Sequence, residues 1–165
     1  MKKKLFALIL LILIGCKSYT FQNFDIGNAK TIQIDFFRNE APLVEPQLSQ
    51  KFTESLQNLF LKQTKLQLTN SNGDLYFSGE ITDYRIKPVS GVSNQTAAQN
   101  RLIISVNVRF RNKYNSNKNF EKVFSFYSDF DANAQLSGDL QNNLINQINK
   151  RITQDILNLS IANDF

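Results

Sequence analysis

The 165-residue sequence has one cysteine, no histidine and no tryptophan. Without histidine there is no imidazole base and no histidine metal ligand, so any metal site would need carboxylates alone. A lone thiol excludes an intrachain disulfide. A long hydrophobic span is also missing. The apolar run Leu5 to Ile14 makes a helix of about 15 Å, roughly half of what a hydrocarbon core requires. No internal repeat is visible. The apolar content, rich in Phe, Ile and Leu, is that of a globular domain rather than a disordered chain.

What the chain does have begins at its start. Lys2-Lys3-Lys4 precedes the apolar run, and Leu13-Ile14-Gly15-Cys16 closes it. A basic start, a short apolar segment and a small residue before a cleavage point describe a secretory signal peptide. The four closing residues resemble the bacterial lipobox, Leu-x-Gly/Ala-Cys. That resemblance implies a diacylglycerol on the Cys16 thiol and cleavage before it. Two or three acyl chains give stable membrane attachment where one gives little. The expected organisation is a removed leader at 1–15, a lipidated tether at 16–28 and a single domain at 29–165. The tether aromatics Tyr19, Phe21 and Phe24 are expected to dock on the domain.

Removing the leader changes the charge argument. Without Lys2, Lys3 and Lys4, the 19 basic residues become 16 against 14 acidic ones, a net of +2 rather than +5. The basic pI belongs partly to the leader, and a nucleic-acid-binding reading is dropped. With Cys16 acylated, no thiol remains for a metal or a nucleophile, and nothing calls for a cofactor. An enzyme ranks last among the functional readings.

Along the domain, Thr31-Ile32-Gln33-Ile34-Asp35-Phe36-Phe37 alternates, predicting a strand with Ile32, Ile34 and Phe36 on one face. Pro46 suits the first turn of a helix, and Leu48, Phe52, Leu56, Leu59 and Phe60 follow helical spacing. Residues 64–68 suggest a short strand, and Asn70 to Asp74 a turn. A long strand runs from Leu75 to Lys87 and is closed by Pro88. It sets Leu75, Phe77 and Ile81 against Tyr76, Glu80, Thr82 and Tyr84. Leu102, Ile104, Val106, Val108 and Phe110 form the cleanest alternation. A turn at Asn115-Ser116-Asn117 leads into a strand from Asn119 to Phe130, completing a hairpin. Ser137 is expected to cap a last helix with Leu140, Leu144, Ile145, Ile148, Ile152 and Ile156 on its apolar stripe. Asp129 and Asp131 are read as solvated strand-end residues. The order β-α-β-β-β-α predicts an α+β two-layer sandwich, two amphipathic helices on one face of a roughly four-stranded sheet.

Charge is distributed unevenly. Between Tyr84 and Lys122 stand Arg85, Lys87, Arg101, Arg109, Arg111, Lys113, Lys118 and Lys122 against one acid, Glu121. Arg101, Arg109, Arg111 and Lys113 share a strand parity opposite the apolar face. Arg85 and Lys87 would join them if the two strands pair. One reading is a contact surface for an anionic ligand, with arginine forking onto phosphate oxygens. The other is a solvated face that discourages strand pairing with other chains.

Three segments carry a resemblance. They are Ala41-Pro42-Leu43-Val44-Glu45-Pro46-Gln47-Leu48-Ser49 leading into Phe52-Thr53-Glu54-Ser55-Leu56, then Asn72-Gly73-Asp74-Leu75-Tyr76-Phe77-Ser78-Gly79-Glu80-Ile81-Thr82-Asp83-Tyr84, then Ala97-Ala98-Gln99-Asn100-Arg101-Leu102. With the lipobox, they resemble the LptE family of lipopolysaccharide-assembly lipoproteins. The resemblance implies a domain anchored on the periplasmic side of the outer membrane, plugging the β-barrel translocon LptD. It makes the lipid A phosphates of lipopolysaccharide the implied ligand of the basic face, with acidic groups in the barrel lumen as another possible contact. The alternative is a stand-alone periplasmic lipoprotein that binds a small or lipidic ligand in an apolar cavity between helices and sheet.

Overall fold

The computed structural model describes residues 24, 26–43, 45–89 and 98–162. Cys16, Tyr19 and Phe21 lie outside the described residues, as does most of the loop after Pro88. Among the described residues the elements are β1 (Thr31–Ile34), β2 (Arg38–Asn39), α1 (Leu48–Gln63), β3 (Gln67–Leu68), β4 (Leu75–Val89), β5 (Gln99–Asn112), β6 (Phe120–Asp131) and α2 (Gly138–Ile161). They form one mixed sheet ordered β3-β1-β4-β5-β6, with β2 also on β4. β1 is parallel to β3 and β4, while β4, β5 and β6 form an antiparallel meander. The four expected strands are β1, β4, β5 and β6. The two-residue strands β2 and β3 bring the total to six.

Both helices pack on one face of this sheet, as their one-sided apolar stripes require. Leu48, Phe52, Leu56 and Phe60 of α1 are fully buried, as are Ile145, Ile148 and Ile156 of α2. Opposite them stand Leu102, Ile104, Val106 and Val108 of β5. Phenylalanine rings fill the layer between: Phe37–Phe52 centroids lie 5.1 Å apart, Phe60–Phe77 5.0 Å and Phe77–Phe110 4.6 Å. Phe24 and Ile26 pack against the margin of this core. Asn149 is an exception within it, wholly buried with its side-chain amide unpaired.

Four local expectations are corrected. Phe36 is not a core residue: it is 59% exposed, while Phe37 is fully buried. β1 stops at Ile34, and the Phe37 N–H donates to Thr53 Oγ1 of α1 (3.1 Å), which turns Phe37 toward the helices. Tyr84 does not share the face of Tyr76 and Glu80. The register with β5 shifts between Ile81 and Asp83, a bulge that reverses the side-chain parity. Tyr84 is therefore buried, and Arg85 and Lys87 turn to the open face. Pro88 does not close the strand but lies inside β4, paired with Asn100. The parallel neighbours of β4 reach only as far as Ile81, so Pro88 faces an unpaired edge where its missing N–H is harmless. Ser137 occupies the N-cap position without a side-chain capping bond. Gly138 directly after it has φ +55°, outside the helical range that would bring the next amides over the hydroxyl.

The Asn72–Ile81 stretch is shaped by close packing. Asn72 takes a left-handed φ of +53°. A Cβ on Gly73 would lie 2.6 Å from the Gln33 backbone nitrogen. One on Gly79 would collide with the Asn107 carbonyl and lie 2.5 Å from the Phe37 ring. Both positions require a residue with no side chain, because β1 and β5 approach β4 at these points. Asp74 fastens the start of the strand. Its Oδ2 accepts the backbone N–H groups of Lys30 (3.0 Å) and Thr31 (3.2 Å), and its own N–H donates to Thr31 Oγ1.

Candidate functional site

The sheet face away from the helices carries the charged residues, and strand pairing sets them in rows. Arg109 lies between Ser78 and Glu121, Asn107 between Glu80 and Val123, and Arg101 between Lys87 and Asp129. Arg111 stands beside Tyr76, which in turn neighbours Gln33 of β1. The six cations singled out from sequence thus come from adjacent strands, β4 and β5, and the residues just beyond them.

Most of these cations already have partners. Arg109 forks onto Glu80 through Nη2–Oε2 (2.6 Å) and Nη1–Oε1 (3.2 Å), and its Nη1 also reaches Glu121 at 3.4 Å. Asn107 Nδ2 donates to the same two carboxylates, at 2.8 and 3.0 Å. Arg109 and Asn107 hold the Glu80 carboxyl below its ordinary range, and Asn107 and Arg109 do the same for Glu121. Arg101 forks onto Asp129 at 2.7 and 2.9 Å and stacks 3.6 Å over the Tyr127 ring. Asp129 is thus tied to Arg101 rather than simply solvated, and its pKa is lowered by that bond. Asp131 instead accepts the Asn133 N–H. Arg85 pairs with Asp83 at 2.9 Å, and Lys113 lies 3.6 Å from Asp74. Lys87 and Arg111 have no carboxylate partner within salt-bridge distance among the described residues.

Arg111 and Lys113 also border a cleft of about 580 Å³ on this face, at the sheet corner. Gln33, Tyr76, Asn112 and Asn119 share its lining. Asp74 contributes to the wall with its pKa drawn down to about 2, chiefly by the Lys30 N–H bond and then by Thr31 and Tyr114. Next to the cleft, Tyr76 donates its hydroxyl to Asp35 Oδ2 at 2.6 Å, which raises the phenol's pKa. Sequence reasoning singled out Arg111 and Lys113 but gave the amide and tyrosine lining no role. The available signal was parity: Gln33, Tyr76 and Arg111 alternate with core residues on three strands that prove adjacent.

Fold and face together define a small two-layer α+β module that covers one sheet face with helices and leaves the other open and polar. The family model for LptE, lipopolysaccharide-assembly, matches residues 29–159, and the chain belongs to this family. Among solved structures, the hypothetical protein CT253 from Chlamydia trachomatis superposes with a TM-score of 0.56 at 11% identity, covering 82% of this chain and 99% of that one. That likeness supports the fold. A minor lipoprotein from Acinetobacter baumannii is also similar, with a TM-score of 0.48 at 13% identity, covering 81% of this chain and 96% of the other. No curated protein matches the sequence. Among the described residues, no helix is long and apolar enough to cross a membrane.

Proposed function

We propose that this chain is a lipoprotein anchored through Cys16 to the periplasmic side of the outer membrane, where it partners and plugs an LptD-type β-barrel during lipopolysaccharide assembly. The observation that carries this reading is the family match across the domain, joined to a lipobox ahead of it. The anchor would hold the domain at the membrane, and the rigid helix-backed sheet would present its open face to the barrel or to lipopolysaccharide. Arg85, Lys87, Arg101, Arg109, Arg111 and Lys113 form the basic part of that face. Their existing ion pairs leave Lys87 and Arg111 as the cations with most capacity for a lipid A phosphate. The aromatic filling between helices and sheet favours this scaffold role over the stand-alone lipoprotein, which needs an apolar cavity there.

The test is gentle solubilisation of tagged protein from crosslinked membranes. Stable recovery with a large outer-membrane barrel is expected, and recovery of the chain alone would sink the proposal. Cys16→Ala should yield an uncleaved or mislocalised protein. Unchanged membrane fractionation would remove the anchor from the reading.

A further inference from the structure

The sandwich has two unlike ends. β1 and β4 begin where β5 finishes and β6 starts, as the pairings Ile32–Leu75, Leu75–Asn112 and Phe110–Phe120 require. Both helices finish at this same end. α1 passes through Lys65 and Leu66 to Gln67, whose N–H donates to the Lys30 carbonyl at 2.9 Å. α2 starts at the far end and comes back along the sheet, meeting Tyr84 through Gln141, Ser128 through Gln147 and the Phe126 ring through Arg151. Leu159 follows Arg151 by about 12 Å of helix. The chain from Cys16 enters at this end too. Phe24 and Ile26 pack on the core margin, and Ile26 borders a hollow of about 190 Å³ with Tyr114, Asn115 and Lys118 of the β5–β6 turn.

Charge separates the two ends. Among the described residues, the tether end carries Lys30, Lys62, Lys65, Lys113 and Lys118 against Asp74. The Asp74 carboxylate already takes the Lys30 and Thr31 N–H groups. The far end carries Glu45, Asp83, Asp129, Asp131 and Asp139 against Lys51, Arg85, Lys87 and Arg101. Exposed apolar side chains occur at both, Leu43 and Ile86 at the far end and Leu61, Tyr114 and Leu159 at the near one. Only at the tether end do they stand among lysines with so little acid. That mixture suits a bilayer boundary, where lysine stems lie along apolar surface, ammonium groups reach phosphates and tyrosine sits at headgroup level. Anionic leaflets attract lysine clusters held within a Debye length. Reach favours the same end. Cys16 stands eight residues before Phe24, at most about 28 Å of chain. The 14 residues of β5 span about 46 Å, so the far end lies further from the tether's entry than the tether is long.

We propose that the tether end is a membrane-contact surface. It rests on the anionic headgroups of the phospholipid leaflet that holds the acyl chains, with Lys62, Lys65 and Lys113 against phosphates and Leu61, Tyr114 and Leu159 reaching into the headgroup layer. The sheet then stands up from the membrane, and its open face stays clear for a partner. This assignment rests on the Cys16 anchor proposed above and not on the barrel.

The chain has no tryptophan, so one substitution makes a single emitter. Tyr114→Trp, Leu159→Trp, Leu43→Trp and Val123→Trp all fall at exposed positions: two at the tether end, one at the far end and one on the open sheet face. Each acylated full-length variant is reconstituted in vesicles of phosphatidylethanolamine and phosphatidylglycerol whose acyl chains are brominated near the ester. Bromolipid should quench the Tyr114→Trp and Leu159→Trp emission at least about twofold and leave Leu43→Trp and Val123→Trp within about a tenth, because only groups at the interface meet the bromines. Adding Lys62→Gln, Lys65→Gln and Lys113→Gln together, or replacing phosphatidylglycerol with phosphatidylcholine, should remove at least about half of that quenching.

Equal quenching at all four positions would overturn the proposal, since the domain would then have no preferred end. Stronger quenching of Val123→Trp than of Tyr114→Trp would lay the open face on the lipid instead. Quenching indifferent to the lysines and to lipid charge would remove the headgroup contact. Vesicle flotation and the mass of the amino-terminal peptide score the anchor separately. A floating, acylated chain with unquenched tether-end reporters loses this surface and keeps the anchor. An unmodified Cys16 in a chain that does not float sinks the anchor and this surface together.

Discussion

Arg109 and Arg111 sit two residues apart on β5 and turn to the same open face, yet they have different surroundings. Arg109 is held by Glu80 on one neighbouring strand and Glu121 on the other, with Asn107 bracing both acids. Arg111 faces Tyr76 across the pair, borders the corner cleft and has no carboxylate partner among the described residues. One step along the same face separates a closed network from an open corner. A run of positive residues therefore says little about binding until the opposing strands are known. The centre of the face is built to stay as it is, and the corner retains capacity for something else.

The largest test of this contrast removes the close approach under the centre. Gly79→Ala would drive a methyl into the Asn107 carbonyl and the Phe37 ring. Since Asn107 positions Glu80 and Glu121, the ladder and the network should fail together. A loss of about 3 kcal/mol is expected, the upper range for overpacking a tight site. Chemical denaturation would measure it. A loss below about 1 kcal/mol would mean that β4 and β5 separate easily and that the centre is not rigid.

Next in size is Asp74, which borders the corner but belongs to its framework. Its pKa is drawn from 3.8 to about 2 in the folded protein. A depressed carboxylate contributes stability above its unfolded pKa and loses it as the pH falls through the folded value. That contribution should be complete above about pH 4 and gone below about pH 2. Its upper bound is about 2 kcal/mol at neutral pH. Asp74→Asn should lower stability by about 1–2 kcal/mol at pH 7, and the difference from the parent should close as the pH approaches 2. Equal gaps at pH 7 and pH 2 would show that the lost interaction is not ionic.

Arg109→Gln comes third. The pair with Glu80 is partly exposed and screened, so a loss of about 1 kcal/mol is expected. Glu80 has a lowered pKa because of Arg109 and Asn107. In the variant it should titrate closer to the ordinary glutamate range, visible by carboxyl NMR. An unmoved Glu80 titration would make the central fork a weak surface contact and blur the distinction from Arg111.

Much of this arrangement was legible from the chain, and the exceptions have physical causes. The β5 alternation, the stripes of both helices and the hairpin turn follow from periodicities of two and 3.6. Phe36 was misplaced because a helix hydroxyl, not the strand, sets the Phe37 amide. Tyr84 was misplaced because a bulge adds one residue to β4, and no pattern in the chain marks it. The apparent basic block between Tyr84 and Lys122 hid its own neutralisation. Glu80, Asp83 and Asp129 lie just outside that interval and meet it only through pairing. The Asn72-Gly73-Asp74 and Gly79-Glu80 residues, first noticed as a resemblance, are backbone constraints and ion-pair anchors of the sheet itself. The corner cleft had no signal in the sequence beyond strand parity, because it exists only once β1, β4 and β5 lie side by side.

The smallest effect is the most discriminating. If Arg111 is spare, Arg111→Gln should leave stability within about 0.5 kcal/mol of the parent, a shift of about 1–2 °C for a domain of this size. The direction can be reasoned further. Arg111 and Lys113 share the cleft wall, and no carboxylate pairs with Arg111 among the described residues. Removing it should relieve like-charge repulsion, so the small change should be stabilising at low salt. At high ionic strength that gain should vanish, because exposed charges are screened beyond a few ångströms. Thermal melts of Arg111→Gln and Arg109→Gln at low and high salt would put the two residues side by side. A destabilisation above about 1 kcal/mol from Arg111→Gln would assign it a structural partner and erase the difference between centre and corner. A slight low-salt stabilisation, alongside a clear loss at Arg109, would locate the unspent binding capacity of this face at Arg111.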